Sequence, residues 1–135
     1  MTALTAAKEA ERQDGEIIPY KVAASTTIYK GALVCDNTSG YAVPAADTSG
    51  YVLLGVAVET VTCGTTAGAV SVRVYKTGVF KMAKASAAQT DIGVLMYVLD
   101  DATVAASSTN SIKAGYVIDI IDTSNIRLRI DTVVQ

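Results

Sequence analysis

The segment Ile126-Arg127-Leu128-Arg129-Ile130 alternates large aliphatic side chains with arginines. A period of two is typical of a β-strand that has one face on a core and the other in solvent. The segment Val70-Ser71-Val72-Arg73-Val74-Tyr75 follows the same alternation. These two stretches predict sheets with one buried face, and they decide the fold class.

Outward from these two stretches, further runs of aliphatic and β-branched residues are predicted as strands over residues 32–36, 40–43, 52–61, 79–83, 94–99 and 115–121. Clusters of Asp, Asn, Thr, Ser and Gly separate them and indicate turns. Gly55, inside the longest run, indicates a bulge or a close backbone contact. Residues 85–92 are the helical candidate, with Ser86 as cap and Gly93 as end.

The pattern therefore predicts an all-β protein. We expect a small antiparallel β-barrel or sandwich, β-clip-like or β-tulip-like, with an extended N-terminal arm and at most one short helical turn. The alternation predicts a register for the last hairpin, with Ile118 opposite Ile130, Ile120 opposite Leu128 and Asp119 opposite Arg129 around a loop over residues 123–125. The predicted core comprises Val56, Val72, Val74, Phe80, Leu128 and Ile130.

Residues 1–16 differ from the rest of the chain. They contain good helix formers, but Leu4 is their only large aliphatic residue after Met1. A helix here would have no apolar stripe to bury, so we predict an arm over residues 1–16 and a single β-domain over residues 17–135. A terminus without a role is the alternative interpretation.

Composition limits the function. The 135 residues are 50% hydrophobic and 18% charged, with a net charge of -2, a mean hydropathy of +0.35 and no histidine. Without a basic field, nucleic-acid binding is not expected. The missing histidine removes the commonest general base and the commonest zinc ligand, which argues against an enzyme. The few charges indicate either a surface rich in Ser, Thr and Ala or burial against a partner.

Cysteine usage and hydropathy indicate the cellular compartment of the protein. Cys35 ends an apolar run and is predicted to be buried, whereas Cys63 lies in a polar loop. We expect no disulfide between them, and hence a reducing compartment. Residues 1–16 are too polar for a signal peptide, and the apolar run over residues 52–58 is too short to span a bilayer, so no membrane partner is expected.

Three groups of residues are candidates for chemistry. The motif Asp47-Thr48-Ser49-Gly50 resembles the Asp-Thr-Gly of aspartic proteases with one residue inserted, but it also suits an ordinary turn. The aspartates at positions 100, 101, 119 and 122 could bind Ca²⁺ or act as acid and base, although solvated turns are the favoured interpretation. The lysines at positions 76, 81 and 84 could make a basic edge or protect a sheet edge against aggregation.

The order of the segments carries more information than any site. In order, they are Gly15-Glu-Ile-Ile-Pro-Tyr-Lys-Val-Ala-Ala24, Tyr29-Lys-Gly-Ala-Leu-Val34, Gly40-Tyr-Ala-Val-Pro44, Gly55-Val-Ala-Val58, Ala67-Gly68, Val72-Arg-Val74, Gly78-Val-Phe80, Asp91-Ile-Gly93, Tyr97-Val-Leu-Asp-Asp101, Thr103-Val-Ala105 and Gly115-Tyr-Val-Ile118. This ordered set resembles a family of bacteriophage cement, or capsid decoration, proteins over nearly the whole chain.

The resemblance implies a structural role without catalysis or cofactor. It implies a protein of the virion, assembled in the host cytoplasm, that sits on the outer capsid surface as a homotrimer and clamps the major capsid protein. We expect residues 1–16 to be the capsid-binding arm, and Ile17, Ile18 and Tyr20 to anchor it. The arm residues predicted to make the contact are Leu4, Lys8, Glu9, Glu11, Arg12 and Asp14.

Two alternative functions remain open at this point. One is an outward-facing head-fibre or carbohydrate-binding module on the virion, for which the sequence offers seven tyrosines and no tryptophan. Tyrosines grouped around a solvated groove would favour it, whereas scattered tyrosines would favour the cement protein. The other is a small enzyme, against which the missing histidine argues.

Overall fold

The computed structural model describes residue 3, residues 5–10 and residues 12–131. Regular structure in these residues consists of twelve strands and a 3-10 turn at Gln89–Asp91. The strands are β1 (Ile17–Lys21), β2 (Thr27–Ile28), β3 (Leu33–Asp36), β4 (Ala42–Pro44), β5 (Val52–Ala57), β6 (Val61–Thr62), β7 (Ser71–Tyr75), β8 (Thr77–Ala83), β9 (Leu95–Val98), β10 (Val104–Ala105), β11 (Lys113–Asp122) and β12 (Asn125–Asp131). The predicted all-β class is confirmed.

Most of the predicted strands end within two residues of the observed ones. The run over residues 52–61 is the exception, because the chain turns after Ala57 and β6 pairs with β2 instead. The connection between β5 and β6 contains Glu59 and Thr60 after Val58, and Glu59 forms an ion pair with Arg73 at 3.1 Å. The apolar run over residues 52–61, predicted as one strand, therefore forms two strands, β5 and β6, that belong to different sheets.

Sheet I has the strand order β1-β7-β5-β3-β4, and all its pairs are antiparallel. Its two edges meet at one end, where Val22 bridges to Ala42 and the Ala23 N–H donates to the Ala42 carbonyl at 3.0 Å. The sheet is thus curled nearly into a barrel, and the short β2–β6 pair lies beside it.

Sheet II has the order β10-β9-β11-β12-β8 and curls in the same way. Ala83 bridges to Thr103, and the Ala83 N–H donates to the Ala102 carbonyl at 3.2 Å. The chain passes from β7 in sheet I to β8 in sheet II with only Lys76 between them. The predicted antiparallel, barrel-like architecture is therefore confirmed.

Two apolar cores result from this arrangement. Leu33 and Cys35 point into a core shared by both sheets, which also takes Met96, Leu128 and other residues of sheet II. Val34, between them on β3, points into a second core within sheet I. Because both faces of β3 are buried, its sequence is apolar without alternation. Burial raises the pKa of the Cys35 thiol to about 12, so this cysteine acts as a small apolar residue.

The predicted core is largely correct. Val56, Val72, Val74, Leu128 and Ile130 are buried as expected. Phe80, by contrast, is only half-buried at the margin of the shared core, where its ring lies 5.7 Å from that of Tyr75.

The predicted register of the last hairpin is wrong. Asp119 lies opposite Arg127 rather than Arg129, and Val117 lies opposite Leu128. The register shifts between Val117 and Asp119 and again between Ile120 and Asp122. These irregularities turn the intervening Ile118 and Ile121 outward, where both are exposed. The turn shortens to two residues because the Asp122 carboxylate accepts the Ser124 N–H at 2.8 Å and so holds the chain tightly.

Gly55 is required by a close approach of two strands. It has φ +150°, and a Cβ atom there would overlap the backbone carbonyl of Tyr75. The register of β3 against β5 also shifts next to it. The predicted bulge or close contact is confirmed.

The helical candidate shrinks to a single 3-10 turn, Gln89–Asp91. Ser86 has φ +51° and does not cap it. Instead the Asp91 carboxylate accepts the Ala88 N–H at 2.9 Å and lies 3.0 Å from the Lys84 ammonium. The segment is thus held to the end of sheet II by polar contacts, and Gly93 turns the chain towards β9 with φ +81°.

Candidate functional site

The N-terminal segment presents its side chains to solvent. Every described residue from 3 to 16 is exposed, including Lys8, Glu9, Arg12 and Asp14. Leu4 and Glu11, two of the predicted contact residues, lie outside the described residues. The Arg12 guanidinium and the Asp14 carboxylate are 3.9 Å apart and both are exposed, so their pairing contributes little to stability.

The segment joins the body at β1. The Lys76 N–H donates to the Glu16 carbonyl at 2.8 Å, and Ile17, Ile18 and Tyr20 then pair with β7. Ile17 is 41% exposed, whereas Ile18 and Tyr20 are half-buried. Tyr20 packs on the sheet I core, and the Lys76 ammonium lies 5.0 Å from its ring centroid. These contacts fix the position at which the N-terminal segment leaves sheet I.

The outer edge of β1 is interrupted. Glu16 and Val22 both bond to the β7 side, the latter through its N–H to the Val70 carbonyl at 3.0 Å. The backbone N–H and C=O groups of the even-numbered residues of β1 therefore point towards β7. Those of Ile17, Pro19 and Lys21 point away from it. Pro19 has no N–H to offer, so this edge is poorly suited to accept another strand.

Asp47 organises a loop and shows none of the geometry of a protease site. Its carboxylate accepts the N–H groups of Thr109 and Asn110, each at 2.9 Å, and the Asn110 side chain donates to the Asp47 carbonyl. Desolvation acts to raise the pKa of Asp47, but these donors outweigh it and the pKa is lowered. The motif over residues 47–50 is therefore a turn that ties two distant loops together.

The other candidate aspartates also serve turns and strands. Asp100 accepts the Ala102 N–H at 2.8 Å, and Asp122 holds the hairpin turn. Asp119 lies 3.9 Å from the Arg127 Nε. Within the ranges that the structure describes, no three acidic or cysteine side chains come close enough to hold a metal ion. The arrangement gives these carboxylates structural roles.

The three candidate lysines do not form one basic edge. Lys84 is buried against Asp91, and its ammonium also donates to the Ala85 carbonyl at 3.1 Å. Lys76 covers Tyr20, and Lys81 is exposed on β8. Each lysine therefore has a different environment.

Sequence reasoning missed a groove on the outward face of sheet II. It has a volume of about 470 Å³ and is lined mainly by Gly93, Gly115, Tyr116, Ile118 and Arg129. Tyr116 is 53% exposed and Ile118 is 45% exposed. The signal was present in the run from Val117 to Ile121, because four aliphatic residues at these positions cannot all face one side of a regular strand.

The exposed tyrosines do not gather around this groove. The most exposed are Tyr29, Tyr75 and Tyr116, which lie in the loop before β3, on β7 and on β11. Tyr116 alone lines the groove. This scatter favours the cement interpretation over carbohydrate binding.

Comparison with known proteins gives two findings. A family model described as phage cement protein matches residues 12–130. The solved structure of the head fibre gp8.5 N base of bacteriophage phi29 is similar, with 17% sequence identity over 86% of this chain and 95% of that chain and a TM-score of 0.48. No curated protein matches the chain. In the described part of the chain, no helix has the length and apolarity needed to cross a membrane.

Proposed function

Because the chain belongs to the phage cement protein family, we propose that it binds the outer surface of the major capsid protein shell and stabilises the head. The match of the family model over residues 12–130 carries this proposal. A structural family also supports a role without catalysis. The protein would then join the virion after assembly in the host cytoplasm.

The fold suits such a role. Both sheets curl until their edges meet at one end, which shortens the edge open to uncontrolled strand pairing. Two curled sheets that share one core make a rigid body, and a rigid body loses little conformational entropy on binding. Many copies on one lattice can then act together even where each contact is modest.

A homotrimer is the assembly we propose. Large apolar side chains such as Tyr29, Ile92 and Leu99 are exposed in the single chain, and charged residues make up only 18% of the sequence. Burying some of them between copies would reduce the apolar surface in contact with water. Light scattering of the purified protein tests this proposal, since a mass of three chains is expected and a stable dimer would contradict it.

The second part of the proposal is that residues 1–16 form a capsid-binding arm, separate from a β-domain over residues 17–135. The arm's described residues are exposed, and Ile17, Ile18 and Tyr20 anchor it to sheet I. Ordering such a segment costs roughly 1–2 kcal/mol per residue, so a partner must supply the compensating contacts. The residues proposed to meet the capsid are Leu4, Lys8, Glu9, Glu11, Arg12 and Asp14.

Deletion of residues 1–14 tests the arm. We expect the truncated protein to melt as the full chain does, because the described arm residues before Glu16 are all exposed. It should no longer co-sediment with heads that lack the protein. The full-length protein, mixed with the same heads, is the control. Full binding by the truncated form would refute the role of the arm, and a melting temperature well below that of the full chain would refute its independence from the domain.

A further inference from the structure

The outward face of sheet II combines a groove with exposed apolar side chains. Val79, Tyr116 and Ile118 are 46%, 53% and 45% exposed. Arg129 lies opposite both Val79 on β8 and Tyr116 on β11, so the three form one row across neighbouring strands. Gly115 and Gly93 line the groove beside this row. An apolar row with a groove is typical of a surface that contacts another protein.

On the outward face of sheet II, the charged side chains near the β11–β12 turn have partners, whereas the one in the middle of the sheet has none among the described residues. Arg127 lies 3.9 Å from Asp119. The pKa of Asp122 is lowered mainly by the Ser124 N–H and the Asn125 side chain, and least by the positive charge of Lys81. The Arg129 backbone pairs with both neighbouring strands, but its guanidinium, between Val79 and Tyr116, forms no hydrogen bond or ion pair with any residue in the described part of the chain. A guanidinium flanked by apolar side chains binds a carboxylate in two-point geometry once water is excluded.

This face also adjoins the root of the arm. Glu16 bonds to Lys76, and the next residue, Thr77, pairs with Asp131, which lines the groove. A partner held by the arm therefore lies within reach of the face. The root of the arm and the groove are thus linked through Lys76 and the first pair of β8 and β12.

We propose that the outward face of sheet II is a second contact with the capsid. The groove takes an apolar side chain of the major capsid protein, which packs on Tyr116 and Ile118, and Arg129 binds a carboxylate next to it. This inference rests on the proposed cement function and adds which side of the β-domain faces the shell. The single cation in the apolar row specifies the partner chemistry, an apolar residue beside an acidic one.

Co-sedimentation with heads that lack the protein tests the proposal through two pairs of variants. Arg129→Glu reverses the central charge, and Lys30→Glu makes the same change at an exposed position in the loop before β3. Ile118→Ser removes an exposed aliphatic side chain of the face, and Val52→Ser removes one of similar exposure, 42%, on sheet I. All four positions are exposed, so thermal melting should show that each variant is folded.

We expect Arg129→Glu and Ile118→Ser each to weaken head binding at least about tenfold, and the two control variants to bind as the wild type does. Arg129→Lys should retain part of the binding, and added salt should weaken the wild type more than Arg129→Glu. If Arg129→Glu and Ile118→Ser bind heads as tightly as the wild type does, this inference alone is overturned and the cement function stands. Loss of the trimer in these variants would overturn it in favour of a contact between copies, and no binding by the wild type would overturn the cement function itself.

Discussion

Substituting Gly115 by alanine should strongly destabilise the protein. A Cβ atom at this position would overlap the backbone carbonyl of Arg129, so β11 and β12 must move apart. Overpacking of this kind costs about 1–3 kcal/mol, and each hydrogen bond of the ladder that is weakened costs a further ~0.5–1.5 kcal/mol. The sum, about 2–5 kcal/mol, is a large part of the ~5–15 kcal/mol that stabilises a small domain.

Thermal unfolding measures this loss directly. For a chain of this length we expect the melting temperature to fall by roughly 8–20 °C. Gly64→Ala is the matched control, since no atom lies within 4 Å of its added Cβ, and it should leave stability unchanged or raise it by about 0.4–1 kcal/mol. If Gly115→Ala has the same melting temperature as the wild type, the backbones of β11 and β12 are not in close contact at this point.

Three further predictions concern the body of the protein. Leu128→Ala should cost about 3–5 kcal/mol in denaturant unfolding because Leu128 is fully buried, whereas Phe80→Ala should cost about half as much because Phe80 is half-buried; equal losses would contradict this reasoning. The Ala88 N–H, and then the Lys84 ammonium, lower the pKa of Asp91, so its stabilising contribution is complete above the ordinary aspartate pKa and lost as the pH falls through the lowered one. Asp91→Asn should therefore be less stable than the wild type at neutral pH, with the difference shrinking in acid, and a difference independent of pH would refute this. Both cysteines are buried, so a thiol reagent should modify them only at the rate of unfolding, and rapid modification of the native protein would contradict their burial.

How far the sequence predicts this molecule depends on how local each signal is. Alternation in residues 126–130 identified the buried face of β12 correctly, because side-chain direction follows from the strand itself. The register of β12 against β11 depends on two irregularities near Ile118 and Ile121, which arise from packing between strands and leave only a weak trace in the sequence. The same two shifts place Ile118 on the outward face, so the error in register also concealed the groove.

Polar contacts were hard to predict for a similar reason. Asp47 and Asn110 are 63 residues apart, and nothing local connects them. The ion pair of Lys84 and Asp91 replaced the helix cap expected at Ser86. The ordered set of short motifs gave the family correctly, since it reflects the succession of strands and turns along the chain rather than any single contact.

The position of β1 has a mechanical consequence. The arm continues directly into β1, and β1 lies antiparallel to β7 over five residue pairs from Ile17 to Lys21. A pull on the arm along the strand axis loads these cross-strand bonds in shear, so that they resist together, whereas a pull across the sheet would unzip them one after another. A load applied to residues 1–16 along the axis of β1 would therefore meet the combined resistance of all five residue pairs.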